Sequence, residues 1–184
     1  MFKKHVNLLI SQNPKDGSTI DLQPFLKKMN FDSTAEFIFG KSTNSLQPGS
    51  PYSDGKFIEA FNYANSGSSK RRRAGRLAFR YWLDREYSRT VTKVHKFVDE
   101  QVQLVLNNVY GAHQSEKDRY VLLVELANQI KDPLTLRYEC LNIFAGGRDG
   151  VAVLVANALF CLARNPSLWS KLRRVALNLN EEAA

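Results

Sequence analysis

Residues 132–166, DPLTLRYECLNIFAGGRDGVAVLVANALFCLARNP, decide how this chain is read. The same device brackets the stretch at both ends. Asp132-Pro133 and Asn165-Pro166 each set a short polar side chain where it can accept from orphan helix amides, then a proline at the first helical position, where no N–H is needed. From Leu134 to Arg164 the sequence is predominantly apolar and is interrupted at its centre by Ala145-Gly146-Gly147-Arg148-Asp149-Gly150. Three glycines cost a helix roughly 1 kcal/mol each relative to alanine, and Arg148 and Asp149 bring charge into an apolar element. Two structures satisfy this pattern. Gly-Gly and Asp-Gly are strong breakers, predicting two shorter helices around a turn. Alternatively, one helix of about 45 Å runs through, opened locally where its backbone approaches a flat ligand or a small gas molecule. Composition leaves both open.

Outward from this stretch, helical periodicity recurs and strand signals are scarce, so the fold is expected to be mainly α. Asp21 to Phe39 carries Leu22, Phe25, Leu26, Met29, Phe31, Ala35, Ile38 and Phe39, one amphipathic helix or two, stopped by Gly40. Ser42 to Asp54 has the Pro and Gly punctuation of a loop. A short helix is expected over Phe57 to Ala64, then a break at Ser66-Gly67-Ser68-Ser69. A long amphipathic helix follows from Leu77 to Val109, ended by Gly111, and another from Ser115 to Ile130 with Tyr120, Leu123, Val124 and Ala127 on one face. Asn165-Pro166 opens the last.

At 184 residues, 43% hydrophobic and 24% charged, the chain fits one soluble domain or part of one. Cys140 and Cys161 form no Cys-x-x-Cys pair, so neither a disulfide framework nor a metal site is readable; both are expected to behave as small buried hydrophobes in a reducing compartment. The N-terminal dozen residues lack a signal-peptide pattern. The charge-free run Gly150 to Ala163 is shorter than the ~20 residues a bilayer requires, so no transmembrane helix is expected.

The net charge of +8 is concentrated. Lys70, Arg71, Arg72, Arg73, Arg76, Arg80, Arg85, Arg89, Lys93 and Lys96 face only Asp84 and Glu86. Such a block can meet nucleic acid or an anionic membrane surface. The plainer account is the solvated face of a helix. Phe79, Tyr81, Trp82 and Tyr87 lie close enough to stack on bases, but at helical spacing they read first as core.

Two runs carry a family resemblance: Leu141 to Asp149, and Leu162-Ala163-Arg164-Asn165-Pro166 continuing to Arg173. Together they resemble the cytochrome P-450 haem-thiolate monooxygenases, matching their long distal helix and the helix after it. Asp32-Ser33-Thr34-Ala35-Glu36-Phe37-Ile38-Phe39-Gly40 resembles a segment of the fungal branch that hydroxylates alkanes and fatty acids. The resemblance implies that residues 1–184 form a single incomplete P-450 domain, from the central helices through the distal helix and the one after it. It favours one long helix over the turn.

The resemblance also implies a haem (heme) cofactor, a small hydrophobic substrate and a reductase as partners. Ala145, Gly146 and Gly147 would line the distal haem and dioxygen groove, with Asp149 in the proton relay. Gly150 stands where the family carries threonine, whose hydroxyl bonds the iron-bound oxygen, so oxygen reduction would be poorly coupled to hydroxylation. The substrate roof would come from Phe57–Tyr63 and Leu77–Val98.

Other family features do not match. The iron thiolate lies in a Phe-x-x-Gly-x-x-x-Cys loop, yet Cys161 has Leu154 and Asn157 at those positions and Cys140 opens the distal helix. The family's Glu-x-x-Arg pair follows the distal helix, whereas Glu86–Arg89 and Glu116–Arg119 both precede it. The matching region begins after the family's membrane anchor and ends just past Arg173. The chain is thus expected to be catalytically inactive alone, and cytoplasmic or membrane-peripheral where the family sits on the endoplasmic reticulum. The competing expectation is an all-helical binding module that uses residues 70–96 on a membrane surface, with nucleic acid the less favoured partner.

Overall fold

The computed structural model describes residues 2–53, 55–110 and 121–182; the side chains of 108–110, 147–149 and 180–182 also lie outside the description. Among the described residues the fold is entirely helical: α1 (Phe2–Ser11), α2 (Leu22–Phe39), α3 (Lys56–Ala74), a 3-10 segment (Gly75–Tyr81), α4 (Arg85–Tyr110), α5 (Leu122–Gln129), α6 (Pro133–Ala163) and α7 (Pro166–Glu182).

The punctuation read from sequence sets several boundaries. Asp21 accepts from the Gln23 amide at 3.0 Å to start α2. Gly40 ends it at φ 74°, its amide returning to the Glu36 carbonyl, in the left-handed conformation that glycine adopts without strain. Asp132 caps α6 by accepting from the Thr135 amide (2.9 Å) and hydroxyl (2.6 Å).

Three expectations are corrected. No break occurs at Ser66–Ser69: α3 runs through them, because Gly67 is buried against the Tyr87 ring and Ser68 turns its hydroxyl back to the Ala64 carbonyl. Tertiary contact there outweighs local propensity. The long helix expected from Leu77 instead starts at Arg85, since Asp84 accepts from the Tyr87 amide at 2.9 Å and acts as its cap. That bond also holds the Asp84 carboxyl below its usual pKa. The third correction is an addition: α1, ten residues long, forms where no helix is expected. The expected end at Gly111 and the 115–120 part of the Ser115–Ile130 helix, including Tyr120, lie outside the described residues.

The main core gathers Phe31, Ile38, Phe57, Phe61, Val98, Val102, Leu123, Leu136, Cys140 and Phe144. A smaller cluster around Leu26, Met29, Leu46 and Ala152 joins the middle of α6 to α2, with Leu8 and Leu9 of α1 against it.

Two buried carboxylates fix α2 in place. Asp32, fully buried, accepts from the Thr43 hydroxyl (2.5 Å) and the amides of Ser45 (2.8 Å) and Leu46 (3.2 Å), binding the 42–53 loop to α2. Glu36 meets buried His5 of α1 at 2.5 Å. Asp32→Ala leaves two buried amides without an acceptor. It should lower unfolding stability by about 3 kcal/mol, with Asp32→Asn losing less, as urea denaturation followed by circular dichroism would measure. Equal stability of Asp32→Ala and the parent would refute the clamp.

Candidate functional site

Within this stretch Pro133–Ala163 form one unbroken α-helix of 31 residues, with no π or 3-10 turn along it. The single-helix reading therefore holds, and the local opening expected at its centre is not seen. By length and composition α6 could cross a bilayer, its most apolar 18-residue window having mean hydropathy 1.4. Core helices of soluble proteins pass the same test, so the expectation that no transmembrane helix is present is not overturned.

One face of α6 is held firmly. Leu136, Cys140, Phe144 and Ala152 are buried along it. The Phe144 ring lies 5.0 Å from Phe61, 5.3 Å from Phe31 and 6.0 Å from Phe39, so α2, α3 and α6 meet on one ring. Arg137 donates to both Asp99 oxygens of α4, at 2.5 and 2.6 Å. That bidentate pair keeps the guanidinium pKa raised.

The opposite face is open. Asn142, Gly146, Gly150, Val153 and Asn157 recur at helical spacing and all are exposed. A Cβ added at Gly146 or Gly150 would meet nothing within 4 Å. Four residues apart, the two glycines leave a strip of bare backbone on that face.

The other expected site residues separate. Ala145 is half-buried and turns into a cleft of about 520 Å³ between α3, α4 and α6, lined also by Phe61, Ala64, Val91, Val94, His95 and Leu141. Burial, then the nearby Arg137 charge, lowers the His95 pKa, with Asp99 opposing. Gly147 and Asp149 lie on the helix, but their side-chain positions fall outside the described residues, as does the Asp149 relay. The cleft includes Phe61 of the expected roof segment 57–63 and Tyr87, Val91, Val94 and His95 of 77–98.

Neither cysteine suits an iron ligand. Cys140 is buried among the core side chains, and burial, aided by the Glu139 charge, pushes its thiol up to about 12, so it is no thiolate at neutral pH. Cys161 is exposed, contrary to expectation, but sits in the last turn of α6 rather than a loop, its carbonyl accepting from the Asn165 amide side chain at 2.8 Å. Among the described residues no cluster of three His, Cys, Asp or Glu could hold a metal. Glu86 and Arg89 are exposed on α4, and Glu116–Arg119 lies outside the described residues.

In the basic stretch, Arg71 is structural. It donates to the Gly67 and Tyr81 carbonyls (3.2 and 3.0 Å), lies 3.4 Å from Asp84, and stacks 3.4 Å from the Tyr87 ring centre. No motif marks this latch in advance, because its partners lie 4 to 16 residues apart across a turn. Phe79, Tyr81 and Trp82, expected in the core, are exposed. They fall in the 3-10 segment and the turn after it, where helical spacing no longer applies.

The described residues thus form an all-helical segment whose long α6 is locked on one face and bare at two glycines on the other. The sequence matches the cytochrome P-450 family over residues 3–175, and the chain belongs to that family. It is 34% identical over 185 residues to cytochrome P-450 52A1 of Candida tropicalis, covering 94% of this chain and 33% of that protein. It is 40% identical over 171 residues to cytochrome P-450 52A12 of Debaryomyces hansenii (85% and 32%), and 33% identical over 185 residues to cytochrome P-450 52-E3 of Starmerella bombicola (95% and 35%). The chain spans about a third of the length of these relatives. Membership implies haem as the family cofactor.

The glycines of α3 and α6 differ in what they tolerate. Gly146→Ala and Gly150→Ala should each raise stability by about 0.5–1 kcal/mol, because the added methyl meets open space and the helix gains. Gly67→Ala should lower it by about 1–3 kcal/mol, since its Cβ would come within 2.4 Å of the Tyr87 ring. Denaturant midpoints of the three variants test this order; a stabilising Gly67→Ala would contradict the packing described.

Proposed function

We propose that this chain is the distal wall of the haem pocket in a monooxygenase acting on alkanes or fatty acids. One observation carries the reading: Gly146 and Gly150 are bare and exposed on one face of an unbroken α6, while Leu136, Cys140, Phe144 and Arg137 fix the other side. When bound, haem supplies the iron at which dioxygen is activated.

The chain's own residues position rather than ligate. Gly146 and Gly150 remove side chains from the helix surface, giving a flat macrocycle and a diatomic molecule room to approach. The cleft between α3, α4 and α6 combines apolar side chains (Phe61, Ala64, Val91, Val94 and Leu141) with polar ones (Asn65, Ser68, Arg72 and Asn142). Asp149 is the proton-relay acid by family resemblance. Gly150 offers no hydroxyl, so a proton passing this point needs water or a polar group of the substrate in its place.

Cys140 and Cys161 do not fit the iron, so the 184 residues are incompetent for oxygen insertion by themselves. The chain mixed with haem, reduced and exposed to carbon monoxide should give no thiolate-type absorption band. A band that disappears in Cys140→Ser or Cys161→Ser would overturn this.

The distal-wall role is tested separately by grafting residues 132–166 of this chain into the Debaryomyces hansenii relative in place of its own counterparts. The hybrid should still bind haem, with hydroxylated product per dioxygen consumed reduced about tenfold or more. Adding Gly150→Thr to the hybrid should restore most of that yield. A hybrid that loses haem, or is already fully coupled, would refute the role.

A further inference from the structure

We propose that Arg72 is a specificity residue of the cleft between α3, α4 and α6: its guanidinium anchors the carboxylate of a fatty acid, so that the cleft selects a carboxylate-headed chain over a plain alkane. The inference rests on the distal-wall reading of α6, which makes the cleft that Ala145 faces the place of the substrate. It chooses between the two substrates named there.

The cleft changes in character along one face of α3. Phe61, Ala64, Asn65, Ser68, Ser69 and Arg72 line it. They fall at i, i+3, i+4, i+7, i+8 and i+11, and so lie on one side of the helix. Phe61 and Ala64 are buried at one end, the Phe61 ring 5.0 Å from that of Phe144 on α6. Asn65, Ser68 and Ser69 follow. Arg72 comes last, about 16 Å from Phe61 along the helix axis. On α4 the order is similar: the Tyr87 hydroxyl meets Ser68 at 2.9 Å, and Val91 and Val94 lie further in. One end of the cleft is therefore apolar, and the other carries hydroxyls and a cation.

The cation is placed for an anionic head. No Asp or Glu is found among the described lining residues. His95 lines the cleft too, but burial, then the Arg137 charge, holds its pKa below the ordinary histidine value, so it is uncharged at neutral pH. Two adjacent arginines also differ in use. Arg71 is engaged by Asp84, the Tyr81 carbonyl and the Tyr87 ring, whereas Arg72 turns to the cleft. A guanidinium takes a carboxylate through two parallel N–H···O bonds. A plain alkane lying along the cleft would strip water from Arg72, Asn65 and Asn142 and give no hydrogen bond in return. A fatty acid supplies a charge-assisted pair at that end and keeps its tail for Phe61 and Ala64. An amine head would meet like charge.

Binding is measured on the 184-residue chain without haem, by calorimetry and by displacement of a fluorescent fatty acid, with laurate and methyl laurate as the probes. Laurate should bind once per chain and more tightly than its ester. Arg72→Gln should weaken laurate by about tenfold or more and leave methyl laurate unchanged. Arg72→Lys should recover part of the loss, keeping the charge without the fork. Arg73→Gln, at an exposed neighbour outside the cleft, should change neither ligand. Ser69→Trp, which fills the cleft from a half-buried position, should weaken both. Circular dichroism checks that each variant keeps its helix content. No readout involves haem or turnover, so a failed anchor is distinguished from a failed distal wall, which the haem-binding hybrid reports. Laurate held equally by the parent and Arg72→Gln would overturn the proposal, as would an equal loss in Arg73→Gln or laurate binding indifferent to Ser69→Trp.

Discussion

The arrangement of this chain depends on how Phe144 is packed. Its ring is fully buried where α2, α3 and α6 converge, with the rings of Phe31, Phe39 and Phe61 at 5–6 Å between centres. Through Phe31 and Phe39 the cluster extends to Phe57 and Phe97, and so to α4. Edge-on and tilted rings of this kind contribute beyond the area they bury. They also settle a rotation. With Phe144 inward, Gly146 and Gly150 are carried to the outside of α6 by helical geometry alone.

Polar contacts then remove the remaining freedom. Arg137 and Asp99 join α6 to α4 by two parallel bonds, a geometry that a single contact or a lysine would not reproduce. Asp32 holds the 42–53 loop, and His5 with Glu36 pins α1 to the same helix. Buried carboxylates are expensive unless well satisfied, so α2, lying against α1, α5 and α6, is fixed by specific bonds as well as by apolar packing. The helix carrying the glycine strip is thus seated on a foundation of directional polar bonds as well as packed rings.

The sequence was legible where the decisive information is local. Asp21, Gly40 and Asp132 act through their own backbones, and each marks a boundary where it was read. It was misleading where a distant side chain decides. Gly67 reads as a break until Tyr87, twenty residues on, is placed against it, and Leu77 reads as helix until Asp84 is found to cap the next one. The exposure of Phe79 and Trp82 has the same origin: their spacing is helical, but the element that would give the spacing meaning is absent. The open face at Gly146 and Gly150 was legible as a cost without its direction, because composition cannot say which side of α6 is buried.

That cost points beyond stability. Within α6, Gly146 and Gly150 avoid no clash, turn no corner and close no contact; an alanine at either would meet empty space. A helix that omits side chains where its own structure has room for them gives up roughly 1 kcal/mol at each position, and local rules broken without a structural return concentrate at functional sites. Gly67 is the contrast within the same molecule, since its missing side chain is accounted for by Tyr87. The family resemblance implies threonine at the position of Gly150, a β-branched residue that is itself a poor helix former. On the reading proposed above, glycine keeps the small profile that threonine would have there and gives up the hydroxyl, so α6 would separate two requirements that a single threonine would meet together.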